Sequence, residues 1–464
     1  MYKYVYDSET GGLLLTETEE NFSASKEPRP VFAEELNILG FQNFWQYENQ
    51  NEIPYLWAEA SNYFYRGKRI AVVKGGELYE KPQLEIVEEN GLPQGEKFLP
   101  VDLKRMAEKN FAIMENLRQS TIKRIFNYWR RYKNRLDCFH VAFSGGKDSI
   151  VLLDLVKKAL PKSSFIVVFG DTKMEFPDTY QIIDEVENQC RAEGIGFYRA
   201  ASKFLPEESW KIFGPPSTVL RWCCSVHKAA PQTLKIREIL KKNNFVGADF
   251  VGVRGAESTK RAGYTVENFG KKQRGQFSHN SIFEWTSAEI WLYIFMHNLP
   301  INETYKKGNS RAGCLLCPMS GEKANFFRKV SYSKEIEKFI DLIRQNINIE
   351  NIDSYITSGG WLNRRNGRDL LNNPRNYSEE TNDGYIYIKI PNTKTDWQEW
   401  IKTLGEISFP YEVEESAAGL TVKFKEIYNK TPNAKNFKSV FHKAAAFVGC
   451  GVCEANCQHG AISF

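Results

Sequence analysis

Cys138-Phe-His-Val-Ala-Phe-Ser-Gly-Gly-Lys-Asp-Ser-Ile-Val-Leu-Leu-Asp-Leu-Val156 decides the fold. An apolar run with strand character, Cys138 to Phe143, passes through Ser144-Gly-Gly-Lys-Asp-Ser149 into a helix that the apolar spacing carries from about Asp148 to Ala159. Two glycines let the backbone fold tightly around a phosphate. The helix start supplies unpaired amides and the positive end of its dipole, and Lys147 adds a full charge. Ser144 and Ser149 offer hydroxyls. Asp148 is the natural partner for a Mg2+ ion bridging phosphate oxygens, since hard cations take carboxylate oxygen. The Walker lysine loop requires four residues between its glycines before Gly-Lys-Ser/Thr, and this stretch lacks that spacing.

Outward from the loop, the sequence predicts a strand at Ser164 to Phe169, a helix at Pro177 to Glu193 and a strand at Gly196 to Ala200. A further strand is expected at Asp249 to Val253, and a helix at Thr286 to Asn298, where Thr286 and Glu289 form a capping box. Strands alternating with helices argue an α/β fold with a doubly wound parallel sheet. Val101 to Arg135 reads as helix. From Arg118 to Leu136 it holds seven basic residues and no acidic ones, interleaved with Tyr128, Trp129 and Tyr132. That run is either a solvated helix face or a surface for a phosphate backbone. Residues 1–100 contain no cysteine or histidine and read as short strands such as Lys68 to Lys74, a mostly β region with no assigned chemistry. From about Asn351 a polar stretch leads into strand-like Gly384 to Ile390, helical Asp396 to Leu404 and strand-like Leu420 to Phe424, a small α+β module. The expected domains are therefore 1–100, 101–345 and 346–464.

Of 464 residues, 42% are hydrophobic and 26% charged, values that exclude a disordered chain, and the formal net charge of +5 permits an anionic partner without requiring one. No apolar run approaches the roughly 18 to 20 residues of a membrane span, so no membrane association is expected. Met1 to Asp7 lacks the pattern of a secretory signal, which places the protein in the cytoplasm. In a reducing compartment, nine cysteines serve metals or redox chemistry before disulfides. Cys223-Cys224 and Cys314-Leu-Leu-Cys317 lie about ninety residues apart. Their four thiolates can close an iron-sulfur cluster or a zinc site, or can stand unligated in a core, although adjacent cysteines are awkward for tetrahedral zinc. Cys138 and Cys190 read as core thiols, and His140, His227, His279, His297 and His442 lack ligand spacing.

Ser144 to Ser149 resembles the PP-loop of the ATP-pyrophosphatase superfamily, whose members cleave ATP between the α and β phosphates to adenylate a substrate. Phe169-Gly-Asp-Thr-Lys-Met-Glu-Phe-Pro-Asp-Thr-Tyr180, Gly252-Val-Arg-Gly-Ala-Glu-Ser258 with Arg261, and Phe283-Glu-Trp-Thr286 with Ile290-Trp291 resemble the phosphoadenosine phosphosulfate (PAPS) reductase-like branch. The likeness covers about residues 120–330. It implies the adenine nucleotide alpha hydrolase fold, Asp171 at the nucleotide pocket, and Arg254 and Arg261 facing the anionic substrate, so that Lys147, Asp148 and Arg254 are the expected catalytic residues. It also implies that Cys223, Cys224, Cys314 and Cys317 hold a [4Fe-4S] cluster, as in many adenylylsulfate (APS) reductases.

Cys450-Gly-Val-Cys453-Glu-Ala-Asn-Cys457 resembles half of a bacterial ferredoxin, with Phe447 where the first cysteine would stand. It implies a second iron-sulfur cluster completed by another ligand, zinc with His459, or a vestige of the fold. Two departures bear on activity. Sulfonucleotide reductases carry a Glu-Cys-Gly-type segment that does not occur here, and their phosphate loop is usually degraded, whereas this one is intact. ATP is thus the expected nucleotide. The combination is similar to the ATPase component of DNA phosphorothioation systems, with transfer RNA thiolation as the near neighbour. It implies DNA or tRNA as acceptor and a cysteine desulfurase or other sulfur donor as partner. The alternative is a PAPS or APS reductase fed electrons through iron-sulfur clusters.

Overall fold

A computed structural model describes residues 2–17, 27–87, 93–269, 276–371, 377–391, 397–402, 404, 407–446, 450 and 452–456. Two compact units emerge, 1–366 with 451–464, and 367–450.

The first unit is organised by a six-stranded sheet in the order Gly196–Ala201, Ile166–Asp171, Cys138–Phe143, Gly247–Val251, Gln276–His279, Glu267–Phe269. The first five strands are parallel and Glu267–Phe269 closes the edge antiparallel. Strand side chains alternate between faces, so both faces need cover. Val167 and Phe169 enter a core shared with helices Lys147–Ala159, Pro177–Ala192 and Ser287–Met296, while Val168 enters a smaller core with Ile236 of helix Ala230–Leu240. This is the doubly wound α/β arrangement expected from the sequence. Chain order reverses between strands 138–143 and 247–251. Open α/β sheets bind ligands beyond the carboxyl ends of their strands at such a switch point.

Helix Leu103–Tyr132 braces the first face, and Ile125 and Tyr128 of that helix are buried. The hairpin of Tyr2–Tyr6 and Leu13–Glu17 lies against it. Buried Asn110 fixes that docking, since its side chain accepts from the Leu15 amide at 2.8 Å and donates to the Leu13 carbonyl at 2.8 Å. Residues Arg29–Ile86 add a five-stranded antiparallel sheet with its own core around Leu36, Phe41, Trp45 and Tyr63. The N-terminal region is thus mostly β. The second unit pairs Ser378–Asn382, Tyr385–Ile390, Gly419–Lys425 and Tyr411–Ser416 antiparallel in that order, and Phe437 and Phe441 of helix Pro432–Ala446 complete a core with Ile386, Ile388 and Val422. Among the described residues, no helix is long and apolar enough to cross a membrane.

The capping box at Thr286 forms: the Thr286 amide donates to the Glu289 carboxylate at 2.6 Å and the Thr286 hydroxyl accepts from the Glu289 amide at 3.4 Å. Burial pushes the Glu289 carboxyl up to about 7. An acid raised in the folded state favours folding while protonated and costs stability as it ionises, so its contribution falls between about pH 4.5 and pH 7. Glu289→Gln keeps the cap and removes the charge. The variant should match the parent near pH 5 and melt higher at pH 8, by up to about 3 kcal/mol of stability; denaturant titrations at the two pH values check this.

Candidate nucleotide and thiol site

Strand 138–143 delivers Ser144 to Ser149 to the switch point, and two glycines make the geometry feasible. Gly145 has φ +70, in the left-handed region, and a β-carbon there would lie 3.0 Å from Thr179. Gly252, just after strand 247–251, passes so close to Asp148 that a β-carbon would meet its backbone carbon at 3.1 Å. The loop is internally bonded: the Ser149 hydroxyl donates to the Gly146 carbonyl at 2.8 Å, and the Ser144 amide donates to the Ser149 hydroxyl at 3.3 Å. From outside, Asn302 donates to the Gly145 carbonyl at 3.1 Å, and the Tyr305 hydroxyl accepts from the Lys147 amide at 3.0 Å.

A chain of four alternating charges backs this loop. Lys147 Nζ lies 2.8 Å from Asp148 Oδ2, and Arg254 Nε donates to Asp148 Oδ1 at 2.6 Å. Arg254 Nη1 and Nη2 donate to the two oxygens of Glu27 at 2.9 and 2.7 Å. Burial alone would raise the Asp148 carboxyl, but Arg254 and Lys147 outweigh it and hold it well below the usual carboxylate range. Burial lowers the Lys147 ammonium, against Asp148.

The cavity in front of the loop has a volume of about 570 Å³. Ser144, Gly146, Asp148, Ser149 and Arg261 line it, and it continues along the sheet to His140, Asp249 and Gln276. Arg261 is also paired with Glu257. Arg254 departs from expectation. It is fully buried behind Asp148, with Nη1 also 3.4 Å from the Trp285 carbonyl, and so orients the carboxylate instead of facing a substrate. Asp171 closes its strand by accepting from the Lys173 amide and the Tyr180 hydroxyl, both at 2.9 Å, and Gly170 rather than Asp171 lines the cavity.

Cys223, Cys224, Cys314 and Cys317 come from two distant segments to line a second cavity of about 530 Å³. Its wall shares Arg221, Cys224, Lys228, Arg261, Arg311 and Ala312 with the first, so the two adjoin. Cys223 and Cys224 end a short helix that runs into a π-helical turn, Ser225–Ala229, an irregularity frequent at functional sites. Cys314 is brought in by a β-bridge to Glu175 and by the Leu315 amide donating to the Met174 carbonyl at 2.8 Å. Arg221 donates to Cys224 Sγ at 3.7 Å, and Lys228 pairs with buried Glu175 at 3.3 Å. The thiol of Cys223 and then Arg221 hold Cys224 toward the thiolate, while burial pushes the Cys314 thiol up to about 12. Among the described residues no three ligand-type side chains converge on a single point.

Helix Val452–Asn456 packs on helix 230–240 and on the π-helical turn that follows Cys224, where Arg237 donates to the carbonyls of Glu454 and Ala455 at 2.6 and 2.9 Å. Cys450 is half-buried. The Cys453 side chain and Cys457, with Phe447 and His459, lie outside the described residues, so the ferredoxin likeness is not established. Sequence reasoning missed Glu27, Tyr305 and Lys228, which sit in no motif and act through contacts with distant segments, and gave no role to Glu175 although it lies within the Phe169 to Tyr180 stretch. The basic run is partly paired: Arg118 with Glu115, Arg124 with Glu284 at 2.8 Å and Arg131 with Glu267 at 3.2 Å.

Residues 139–320 match the phosphoadenosine phosphosulfate reductase domain family. An uncharacterized protein of Methanocaldococcus jannaschii is 32% identical over 55% of this chain and 51% of its own length, so the chain spans about half of that relative. The adenosine 5'-phosphosulfate reductase of Halalkalibacterium halodurans is 28% identical over 40% of this chain and 76% of the reductase. A solved phosphoadenylyl-sulfate reductase from Candida auris aligns at 20% identity with a TM-score of 0.33, covering 43% of this chain and 93% of that one.

Proposed function

We propose that this chain, whose residues 139–320 form a phosphoadenosine phosphosulfate reductase-family domain, is an ATP pyrophosphatase that adenylates an oxygen of a nucleic acid so that sulfur can replace it. The observation that carries the reading is the intact phosphate loop opening into a cavity that shares a wall with the four-cysteine cavity. An acceptor oxygen attacks the α phosphorus and pyrophosphate departs. Loop amides and Lys147 offset the charge that builds on the leaving group. Adenylation turns the oxygen into a good leaving group, and a sulfur nucleophile then displaces AMP.

Asp148, Ser144 and Ser149 line the cavity and carry hard oxygen donors of the kind that fit Mg2+, which would supply Lewis-acid stabilisation of the phosphates when bound. The four thiols fit a [4Fe-4S] cluster, with Arg221 and Lys228 offsetting thiolate charge, and such a group supplies electron transfer or an iron site for sulfur. A cysteine desulfurase is the proposed sulfur source.

DNA or tRNA as acceptor is favoured by Lys123, Arg130, Arg131, Lys133 and Arg135, which stay exposed on and just beyond helix 103–132. Nucleic-acid affinity should fall steeply with salt, and charge reversal at Arg130, Arg131 and Lys133 should flatten the slope by roughly two to three units while leaving ATP cleavage near the parent rate. Filter binding between about 50 and 200 mM salt reads this. The reading itself is tested by AMP formation from ATP with and without DNA or tRNA; AMP formation that neither stimulates would remove nucleic acid as acceptor. A second reading, a sulfonucleotide reductase, is favoured by the likeness to the Halalkalibacterium enzyme.

A further inference from the structure

The N-terminal segment reaches the phosphate loop through Glu27. This residue precedes Pro28 and the strand Arg29–Val31 of the N-terminal sheet, and has φ +53, a backbone region that costs a glutamate energy and that surrounding contacts must offset. Its two carboxylate oxygens take both terminal nitrogens of Arg254, whose Nε is taken by Asp148, which in turn holds Lys147. With Glu27 the four charges sum to zero. Without it the loop carries a net positive charge.

We infer that Glu27 is a positioning residue that balances the charge of the phosphate loop and so lets pyrophosphate leave. The inference rests on the proposed nucleotide chemistry. Arg254 lies behind Asp148, yet its charge reaches the loop because a buried pair is poorly screened. Neutralising Glu27 acts twice in one direction. It adds positive potential at the loop, and it lets Arg254 draw Asp148 toward itself, leaving Lys147 free for the anion. Both effects tighten the grip on phosphate, and a grip that is too tight slows release of the product.

Isothermal titration of the full chain with inorganic pyrophosphate tests this. Glu27→Gln should bind pyrophosphate about tenfold more tightly than the parent, while Glu27→Asp, which keeps the charge, should bind like the parent. Glu27→Gln combined with Arg254→Met restores a net charge of zero and should also bind like the parent. A lost packing contact would weaken binding or leave it alone, so tightening separates charge from scaffolding. Where Glu27→Gln does not fold, Arg254→Met carries the test with the opposite sign, about tenfold weaker than parent. Equal or weaker pyrophosphate binding by a folded Glu27→Gln protein overturns the inference. A parent chain that binds neither pyrophosphate nor ATP overturns the nucleotide reading, and this inference with it.

Discussion

Lys147→Ala should cut pyrophosphate release from ATP by about a hundredfold to a thousandfold, with the fold retained. Removal of one preorganised charge-stabilising group costs about 3 to 4 kcal/mol of barrier, and Lys147 is the ammonium that the loop holds beside Asp148 at 2.8 Å. Its loss costs the fold little, because Asp148 keeps Arg254 at 2.6 Å. Asp148→Ala differs, since Lys147 and Arg254 would then be buried with one partner fewer, and breaking a buried pair costs about 3 to 5 kcal/mol. Asp148→Asn is the cleaner variant: it should lose activity to a similar degree and melt only modestly lower. Quantifying pyrophosphate alongside thermal melts separates the two effects, and full activity in Lys147→Ala would remove the loop from the chemistry.

The thiol cavity carries the second large effect. Anaerobically purified protein should be brown and hold about four irons per chain if the Cys223, Cys224, Cys314 and Cys317 set alone is filled, and more if the C-terminal cysteines also bind. Single serine variants at those four positions should lose most of that iron. Iron analysis and visible spectra decide the matter. Zinc in place of iron, or iron content unchanged in the four variants, would refute the assignment.

What could be read in the sequence was local. Strand 138–143, the strand-like run Lys68–Lys74 and the helix capped by Thr286 are legible because apolar periodicity and capping chemistry act over a few residues. The loop glycines are legible for the same reason. The placement of Arg254 was not: its stretch suggested an arginine facing an anionic substrate, whereas Asp148, Glu27 from 227 positions earlier and the Trp285 carbonyl turn it inward. Arg124 and Arg131 likewise look free until the fold brings Glu284 and Glu267 beside them. The joining of two cysteine pairs into one cavity rests on the bridge between Glu175 and Cys314, and its joining to the phosphate-loop cavity on shared residues such as Lys228 and Arg311, pairings that no local pattern announces.

On the proposed reading this loop cleaves ATP and does not reduce a sulfonucleotide. Anaerobically purified protein given ATP, or given PAPS or APS with a thiol or dithionite reductant, decides between them when pyrophosphate and sulfite are measured side by side. Pyrophosphate from ATP, lost in Lys147→Ala, with no sulfite from either sulfonucleotide, is the predicted result; sulfite from APS or PAPS with ATP left intact would contradict it.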